Sequence, residues 1–265
     1  MPVFPPSSGT LDVEFFKSPV LNGRRSYWIY LPAGYDRPGA SLPVVYLLHG
    51  LHGAESDWVK KGLAHETASR LLTEGRIVPM ILVCPSDGLA FDGTGYLNRF
   101  DGSGRYEDYI ARDLVDHIDS TYPVLRDRRA RAITGLSMGG FGAMNLALHH
   151  PELFCSVASH SGLFFHAFEE ETSGLTPEHR RANSPYYLVG EHPEAVAQLR
   201  IYFDCGRDDF LYSQNEAFDQ RLTELGVPHV YHRFSGGHSW EYWTEHLVDS
   251  LLFHSESFRA SGGGK

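Results

Sequence analysis

The sequence predicts an α/β fold in which a mostly parallel sheet is covered by helices on both faces. Strand-like runs alternate with helical patterns along the chain, and this order favours parallel strands joined by right-handed crossovers. Several of the runs are apolar throughout, as is typical of strands buried on both faces. The chain has 265 residues, a length at which one domain of this class buries a substantial core.

Seven strands and three helices are predicted. The strands are residues 27–31, 44–48, 80–84, 130–134, 156–159, 200–205 and 229–234. Each helix has apolar residues mostly three or four positions apart, which gives it one apolar face. These residues are Tyr106, Ile110, Leu114 and Ile118; Phe218, Leu222 and Leu225; and Tyr242, Trp243, Leu247 and Leu251. Gly226 and Pro228 end the second helix, because glycine suits the residue after a helix and proline cannot continue one.

The chain reads as a single domain over residues 1–260, with no internal repeat and no linker. Residues 164–193 are polar and lack a clear period. We expect either a cap or lid over the site or a surface excursion with one short helix. Residues 261–265 are rich in glycine and are expected to form a disordered tail.

Composition excludes several classes of partner. The net charge of −10 argues against a nucleic-acid or anionic-membrane surface, and no apolar run approaches the length of a membrane span. Residues 1–10 lack the features of a signal peptide, so we expect a cytoplasmic protein, although a processed secreted form would look the same. Cys84, Cys155 and Cys205 match no metal motif and are expected to be reduced core thiols. The oligomeric state stays open, a homo-oligomer included.

Residues 130–144 carry the strongest functional signal. They read as a buried strand, the pattern Gly-x-Ser-x-Gly centred on Ser137, and a helix rich in small residues. A sharp strand-to-helix turn lifts a serine hydroxyl out of the fold, and the glycines leave room for the turn to tighten. We therefore expect Ser137 to be a nucleophile. A tight glycine turn with a solvated serine is the alternative.

A serine nucleophile needs a base, and the base needs a carboxylate to orient it. In parallel-sheet hydrolases both follow the serine, on loops after strands. His238 is the candidate base, because it follows the last predicted strand and two glycines that leave the backbone free to aim the ring. The candidate acids are Asp204, Asp208 and Asp209. Asp204 still lies in its strand and suits bonding to loop backbone, whereas the residues alone do not separate Asp208 from Asp209.

Backbone N–H groups are expected to bind the oxyanion. One belongs to Met138, directly after the nucleophile, and the other to Leu51, in the glycine-rich loop after strand 44–48. His49 and His52 could instead ligate a metal, but no third ligand has a suitable spacing. We therefore expect neither a metal nor another cofactor.

Two tryptophans are candidate substrate-binding residues. Trp58 and Trp240 lie close in sequence to the predicted site loops, where they either line an acyl or aryl pocket or serve only in packing. Trp243 has helical spacing and is expected in the core. The expected partner is a small-molecule or polysaccharide-linked ester.

Five short motifs together resemble the putative-esterase family of α/β-hydrolases over residues 13–258. This family includes S-formylglutathione hydrolase, tributyrin esterases, feruloyl and acetyl-xylan esterases, and mycolyltransferases. The motifs are Leu48-His49-Gly50, Gly135-Leu136-Ser137-Met138-Gly139-Gly140, His150-Pro151-Glu152-Leu153-Phe154, Cys205-Gly206-Arg207-Asp208-Asp209-Phe210 and Gly237-His238-Ser239-Trp240.

The resemblance implies an α/β-hydrolase fold and a serine carboxylic-ester hydrolase that forms an acyl-enzyme with short-acyl or aryl esters. It also implies that Asp209, rather than Asp208, is the acid. Leu136 and Phe141 stand where formylglutathione hydrolases usually carry histidine, which weakens that particular assignment. The alternatives are an acyltransferase of the mycolyltransferase type, an S-formylglutathione thioesterase and, more remotely, a non-catalytic binding protein on a hydrolase fold.

Overall fold

One eight-stranded sheet organises the described part of the chain. The structure is a computed structural model that describes residues 9–88, 93–165 and 176–262. The strands are β1 (Thr10–Ser18), β2 (Gly23–Leu31), β3 (Val44–Leu48), β4 (Ile81–Pro85), β5 (Arg131–Leu136), β6 (Ser156–His160), β7 (Arg200–Gly206) and β8 (His229–Phe234). They lie in the order β1-β2-β4-β3-β5-β6-β7-β8, and all strands from β3 to β8 run parallel. The predicted mostly parallel sheet is therefore confirmed.

The sequence does not predict β1, the strand at one edge of the sheet. This strand pairs with β2 in antiparallel fashion, and β2 pairs with β4 in the same way. Val13 and Phe15 on one face of β1 are exposed, as are Asp12 and Glu14 on the other. An edge strand with both faces partly in water has no clean alternation of apolar and polar residues, and that alternation is the signal from which a half-buried strand is recognised.

Helices pack on both faces of the sheet. They are α1 (Asp57–Lys60), α2 (Ala64–Thr73), α3 (Tyr106–Asp108), α4 (Val115–Thr121), α5 (Met138–His149), α6 (Pro177–Ala182), α7 (Pro185–Glu191), α8 (Pro193–Val196), α9 (Tyr212–Glu224) and α10 (Trp240–Ser261). A π-helical stretch, Tyr109–Leu114, joins α3 to α4, and a 3-10 turn, Arg128–Ala130, precedes β5. The three predicted helices are all present.

Two apolar clusters lie on opposite faces of the sheet. Val44, Tyr46 and Leu48 of β3 belong to the cluster under α5, α7, α9 and the 106–121 segment. Val45 and Leu47 belong to the cluster under α2 and α10. Alternate residues of one strand thus enter two cores, which explains why this strand is apolar throughout. The three cysteines are buried and free. Within the described ranges, every helix is too short or too polar to cross a bilayer.

Two segments depart from the predicted boundaries. Residues 185–196 form α7 and α8 and contribute Leu188 and Val196 to the core, so this stretch is not a surface excursion with one short helix. The lid expected within 164–193 falls partly on residues 166–175, which lie outside the described residues. Ser261 does not begin a tail, because it is the last residue of α10 and donates a hydrogen bond to the Arg129 carbonyl (2.8 Å). Residues 263–265 also lie outside the described residues.

Candidate active site

Ser137 sits at the sharp turn between β5 and α5. Its backbone has φ 52° and ψ −118°, a conformation that L-residues rarely adopt. The turn needs a glycine on each side. A Cβ on Gly135 would lie 2.0 Å from the Gly139 carbonyl oxygen, and a Cβ on Gly139 would lie 2.3 Å from the Leu48 carbonyl oxygen. The strained turn, held by this close packing, projects the Ser137 side chain from the carboxyl edge of the sheet.

His238 reaches Ser137 from the loop between β8 and α10. Its Nε2 lies 3.0 Å from Ser137 Oγ, although the two residues are 101 positions apart in sequence. On the other side of the ring, Nδ1 lies 2.9 Å from Asp209 Oδ2. Because Nδ1 keeps its proton and donates a hydrogen bond to the carboxylate, Nε2 is left to accept the proton of the serine hydroxyl. The three side chains therefore form one continuous hydrogen-bonded chain.

The carboxylate of Asp209 is buried and accepts more than one hydrogen bond. The Leu211 N–H donates to its second oxygen at 2.8 Å. Burial by itself would raise the pKa of Asp209, but hydrogen bonds from His238, the Leu211 N–H and Ser161 outweigh burial and lower that pKa below its usual value. Asp208 is exposed. The structure thus brings Asp209, and not its neighbour, to the imidazole.

Asp204 has a different set of partners from the one the sequence predicts. Its carboxylate accepts hydrogen bonds from His160 Nδ1 (2.8 Å) and from the hydroxyls of Tyr202 and Tyr242 (both 2.9 Å). All of these side chains are buried. The expected bonding to loop backbone is therefore wrong for this carboxylate, which binds side chains of β6, β7 and α10 beneath the site.

The two residues predicted to supply oxyanion donors lie beside Ser137. Met138 is the first residue of α5, so its N–H is among those at a helix N-terminus that have no partner within the helix. Leu51 follows Gly50, whose α-carbon is so close to the turn that an added Cβ would lie 3.4 Å from Ser137 Cβ. Both positions suit donation to an oxygen that becomes negative next to the serine.

A cavity of about 310 Å³ opens at Ser137 and His238. Its remaining walls are mainly apolar and aromatic, with a few polar residues: Gly50, Leu51, His52, Gly53, Asp57, Lys61, Leu136, Phe210, Trp240 and Trp243. Trp240, predicted from the sequence, is among them. So is Trp243. The sequence assigns it to the core, and this is confirmed, because it is buried in the apolar cluster under α2 and α10; its ring also packs at right angles to that of His238.

Trp58 does not line this cavity, so the expectation that it contacts substrate is corrected. Its side chain is fully buried, and its indole N–H donates to the Leu48 carbonyl at 2.9 Å. Its ring packs edge-to-face against Trp240, with ring centroids 5.6 Å apart. Trp58 therefore supports a wall residue from behind. The sequence alone does not show whether a tryptophan near a site loop lines the cavity or packs behind its wall.

Phe210 is another wall residue that sequence reasoning misses. It is 74% exposed, and its ring centroid lies 4.5 Å from that of His238. Its only sequence signal is its position directly after Asp209.

Among the described residues, His49 and His52 are not grouped with a third side chain that could ligate a metal. The Nδ1 atom of His49 is bonded to the Gly50 carbonyl at 2.8 Å. Across the part of the chain that the structure describes, no three His, Cys, Asp or Glu side chains are grouped so as to hold a metal ion.

The sequence matches a family of known proteins. Residues 18–254 match the family model described as Putative esterase. An acetyl esterase of Caldicellulosiruptor saccharolyticus is 25% identical over 244 residues, which are 83% of this chain and 86% of that protein. An esterase of Mycobacterium tuberculosis is 26% identical over 243 residues, but this chain spans only about half (51%) of its length.

Solved structures share the architecture. A ferulic acid esterase superposes with a TM-score of 0.85 at 30% sequence identity, over 95% of this chain and 99% of that one. An S-formylglutathione hydrolase from Agrobacterium tumefaciens has a TM-score of 0.80 at 22% identity, over 95% of this chain and 96% of that one, and shows the fold alone. The chain therefore belongs to the Putative esterase family, and it is an ester hydrolase with an α/β-hydrolase fold.

Proposed function

We propose that this chain is a serine carboxylic-ester hydrolase in which Ser137, His238 and Asp209 act as a triad on short-acyl or aryl esters. The observation that carries the proposal is the unbroken chain of contacts from the Ser137 hydroxyl through the His238 ring to Asp209, at 3.0 and 2.9 Å. Both are hydrogen-bond distances: the first allows the Ser137 proton to pass to His238, and the second lets Asp209 orient the imidazole.

The reaction has two halves. Ser137 Oγ attacks the ester carbonyl while His238 Nε2 takes its proton, and His238 then gives that proton to the leaving alcohol. Asp209 keeps the ring oriented and stabilises its positive charge. The N–H groups of Leu51 and Met138 donate to the oxyanion that forms in the attack. A water molecule, activated by His238, then hydrolyses the acyl-enzyme and restores the serine.

The cavity walls favour an apolar acyl or aryl group. Leu136, Phe210, Trp240 and Trp243 present apolar and aromatic surface around the nucleophile, and burying such surface against a substrate is favourable. Two relatives support this range of substrates, because one is named an acetyl esterase and another a ferulic acid esterase.

The test compares wild type with Ser137→Ala on p-nitrophenyl acetate and methyl ferulate. The variant is expected to lose at least about 10⁴-fold in kcat, since triad members act as one unit. A fluorophosphonate probe is expected to label the wild type and not the variant. Circular dichroism and the unfolding temperature check that the variant is folded. A folded Ser137→Ala protein that hydrolyses either ester within tenfold of wild type contradicts the proposal.

Water as the acyl acceptor is tested by product analysis. With an added alcohol in the assay, a hydrolase releases mainly free acid. Mainly transesterified product at modest alcohol concentration would instead assign the chain as an acyltransferase.

A further inference from the structure

Ser161 lies directly behind the candidate triad, and the mechanism above does not use its side chain. It follows the last residue of β6 and is fully buried. Its N–H donates to the Asp204 carbonyl at 2.7 Å, and the carbonyl of the preceding His160 accepts the Ser137 N–H at 2.9 Å. The backbone at this point therefore joins the end of β7 to the turn that carries the nucleophile.

The hydroxyl of Ser161 contacts a residue that supports His238. It accepts a hydrogen bond from the Trp243 indole N–H at 3.2 Å. The Trp243 ring packs edge-to-face against His238, with ring centroids 4.8 Å apart at 87°. Ser161 also contributes to lowering the pKa of Asp209.

The backbone of Ser161 indicates that the hydroxyl matters. Its φ is 48°, in the left-handed region where a residue with a Cβ is strained and glycine is not. A buried serine gains nothing from this conformation unless its side chain makes contacts that glycine lacks. Strained residues of this kind cluster at functional sites and persist where the surroundings hold them.

We infer that Ser161 is a positioning residue for ester hydrolysis, whose hydroxyl holds Trp243, and through it His238, in the orientation that proton transfer requires. The inference rests on the proposed triad. Loss of the hydroxyl leaves the Trp243 N–H without its buried acceptor, so the indole and the His238 ring packed against it gain freedom to turn.

The experiment compares two substitutions of Ser161 that both remove the hydroxyl but differ in their effect on backbone strain. Ser161→Ala and Ser161→Gly both remove the hydroxyl, but only glycine relieves the backbone strain, so Ser161→Gly is expected to unfold at the higher temperature of the two. If the hydroxyl positions the triad, both variants lose about 10- to 100-fold in kcat on p-nitrophenyl acetate. KM is expected to change by less than about twofold, because Ser161 does not line the cavity.

The control is Ser255→Ala, which removes another buried serine hydroxyl. Ser255 accepts a hydrogen bond from the Val78 N–H at 2.9 Å. Val78 lies just before the amino end of β4, whereas the candidate site lies at the carboxyl ends of the strands. This variant is expected to lose stability and to keep the wild-type kcat. The inference is overturned if both Ser161 variants keep the wild-type kcat, or if kcat follows the unfolding temperature across all three variants. Ser137→Ala, assayed alongside, separates the two failures: if it is inactive, only the role of Ser161 is rejected, whereas if it is active, the triad itself is rejected.

Discussion

Two hydrogen bonds hold the strained backbone of Ser137, one through its N–H and one through its carbonyl. The Ser137 N–H donates to the His160 carbonyl at 2.9 Å, and the Ser137 carbonyl accepts the Phe141 N–H at 3.0 Å. A left-handed conformation for a residue with a Cβ costs about 1–3 kcal/mol, so it needs such support. The strain gives the hydroxyl a fixed direction toward His238 before any substrate arrives, which lowers the ordering that the reaction itself must supply.

The adjacent carboxylates Asp208 and Asp209 allow a matched test at the scale of one residue. Asp209→Asn is expected to lower kcat by about 10³–10⁴-fold, because an amide can donate to Nδ1 and favour the wrong tautomer of His238. Asp208→Asn makes the same chemical change at an exposed position and is expected to leave kcat within about twofold of wild type. Steady-state kinetics on p-nitrophenyl acetate measures both. A larger loss at Asp208 would reverse the assignment of the acid.

The sequence predicts the residues of the site best where a motif fixes the local backbone. Ser137 and His238 follow from glycine-bounded turns after strands, and the structure brings them together. Asp209 needs the family resemblance, because only the folded loop determines which of two neighbouring carboxylates turns inward. The positions of Trp58 and Ser161 depend on contacts with Trp240 and Trp243 of α10. This helix is remote from both residues in sequence, and no local pattern specifies these contacts.

The segment from α3 to α4 shows how an element departs from its predicted period. Its apolar residues Tyr106, Ile110, Leu114 and Ile118 recur every four positions, whereas an α-helix repeats every 3.6. In a regular α-helix, apolar residues spaced strictly four apart would drift around the helix axis and leave the buried face. The π-helical turns of residues 109–114 have wider i to i+5 hydrogen bonds and more residues per turn. They keep Ile110, Leu114 and Ile118 all buried against the sheet.

A histidine–glutamate cluster links this segment to the carboxyl end of α5. Glu107 Oε1 lies 3.2 Å from His149 Nδ1 and 2.9 Å from His150 Nε2. Burial opposes ionisation of Glu107, but the hydrogen bonds from both histidines outweigh burial and lower its pKa from 4.5 to about 2. Burial also opposes the charge on His150, yet Glu107 raises the pKa of that histidine above 6.5. Positive charge at the last turn of a helix is favourable as well.

The pH dependence of the folding stability follows from the directions of these two pKa shifts. The lowered pKa of Glu107 stabilises the fold above pH 4.5, and this contribution is lost as pH falls toward 2. The raised pKa of His150 stabilises the fold below pH 6.5, and that contribution is lost as pH rises through its folded value. The cluster is therefore most stabilising between pH 4.5 and 6.5.

Glu107→Gln is accordingly expected to cost about 2 kcal/mol of unfolding free energy at pH 5.5 and about half as much at pH 9. Urea denaturation at the two pH values measures the difference. Glu152→Gln is the control, because Glu152 pairs with the same His150 but is 66% exposed, and it is expected to cost less than about 0.5 kcal/mol at either pH. An equal cost of Glu107→Gln at both pH values would refute the linkage.

At the scale of the whole molecule, the sheet assembles the site because the loops that follow several of its strands lie together at its carboxyl edge. Ser137, Asp209 and His238 follow β5, β7 and β8, which are parallel strands of one sheet, so the carboxyl ends of these strands are close together. This arrangement is predictable from the alternation of strands and helices. The antiparallel edge strand β1 and the core helices α7 and α8 are not, because their burial depends on where neighbouring elements pack.

Beneath the site, a buried polar network ties β6, β7 and α10 into one unit. Asp204 of β7 binds His160 at the end of β6 and Tyr242 of α10, while His160 Nε2 contacts the Ser250 hydroxyl of α10 at 3.0 Å. These elements also carry Ser161, Trp243 and the loop leading to Asp209. A network in which each buried donor has an acceptor makes the relative positions of its elements specific.

Removal of the central carboxylate should therefore destabilise the whole fold. Asp204→Ala leaves two tyrosine hydroxyls and one imidazole N–H without an acceptor and is expected to cost about 3–5 kcal/mol of unfolding free energy. Asp204→Asn is expected to cost less, because the amide oxygen still accepts and a hydroxyl can reverse its direction. Urea denaturation measures both, with Asp249→Ala as the control, since Asp249 binds His246 at a half-exposed position and is worth less than about 1 kcal/mol. If Asp204→Ala cost no more than the control, the network would not be what joins these elements, and the position of α10 over the sheet would have to rest on apolar packing alone.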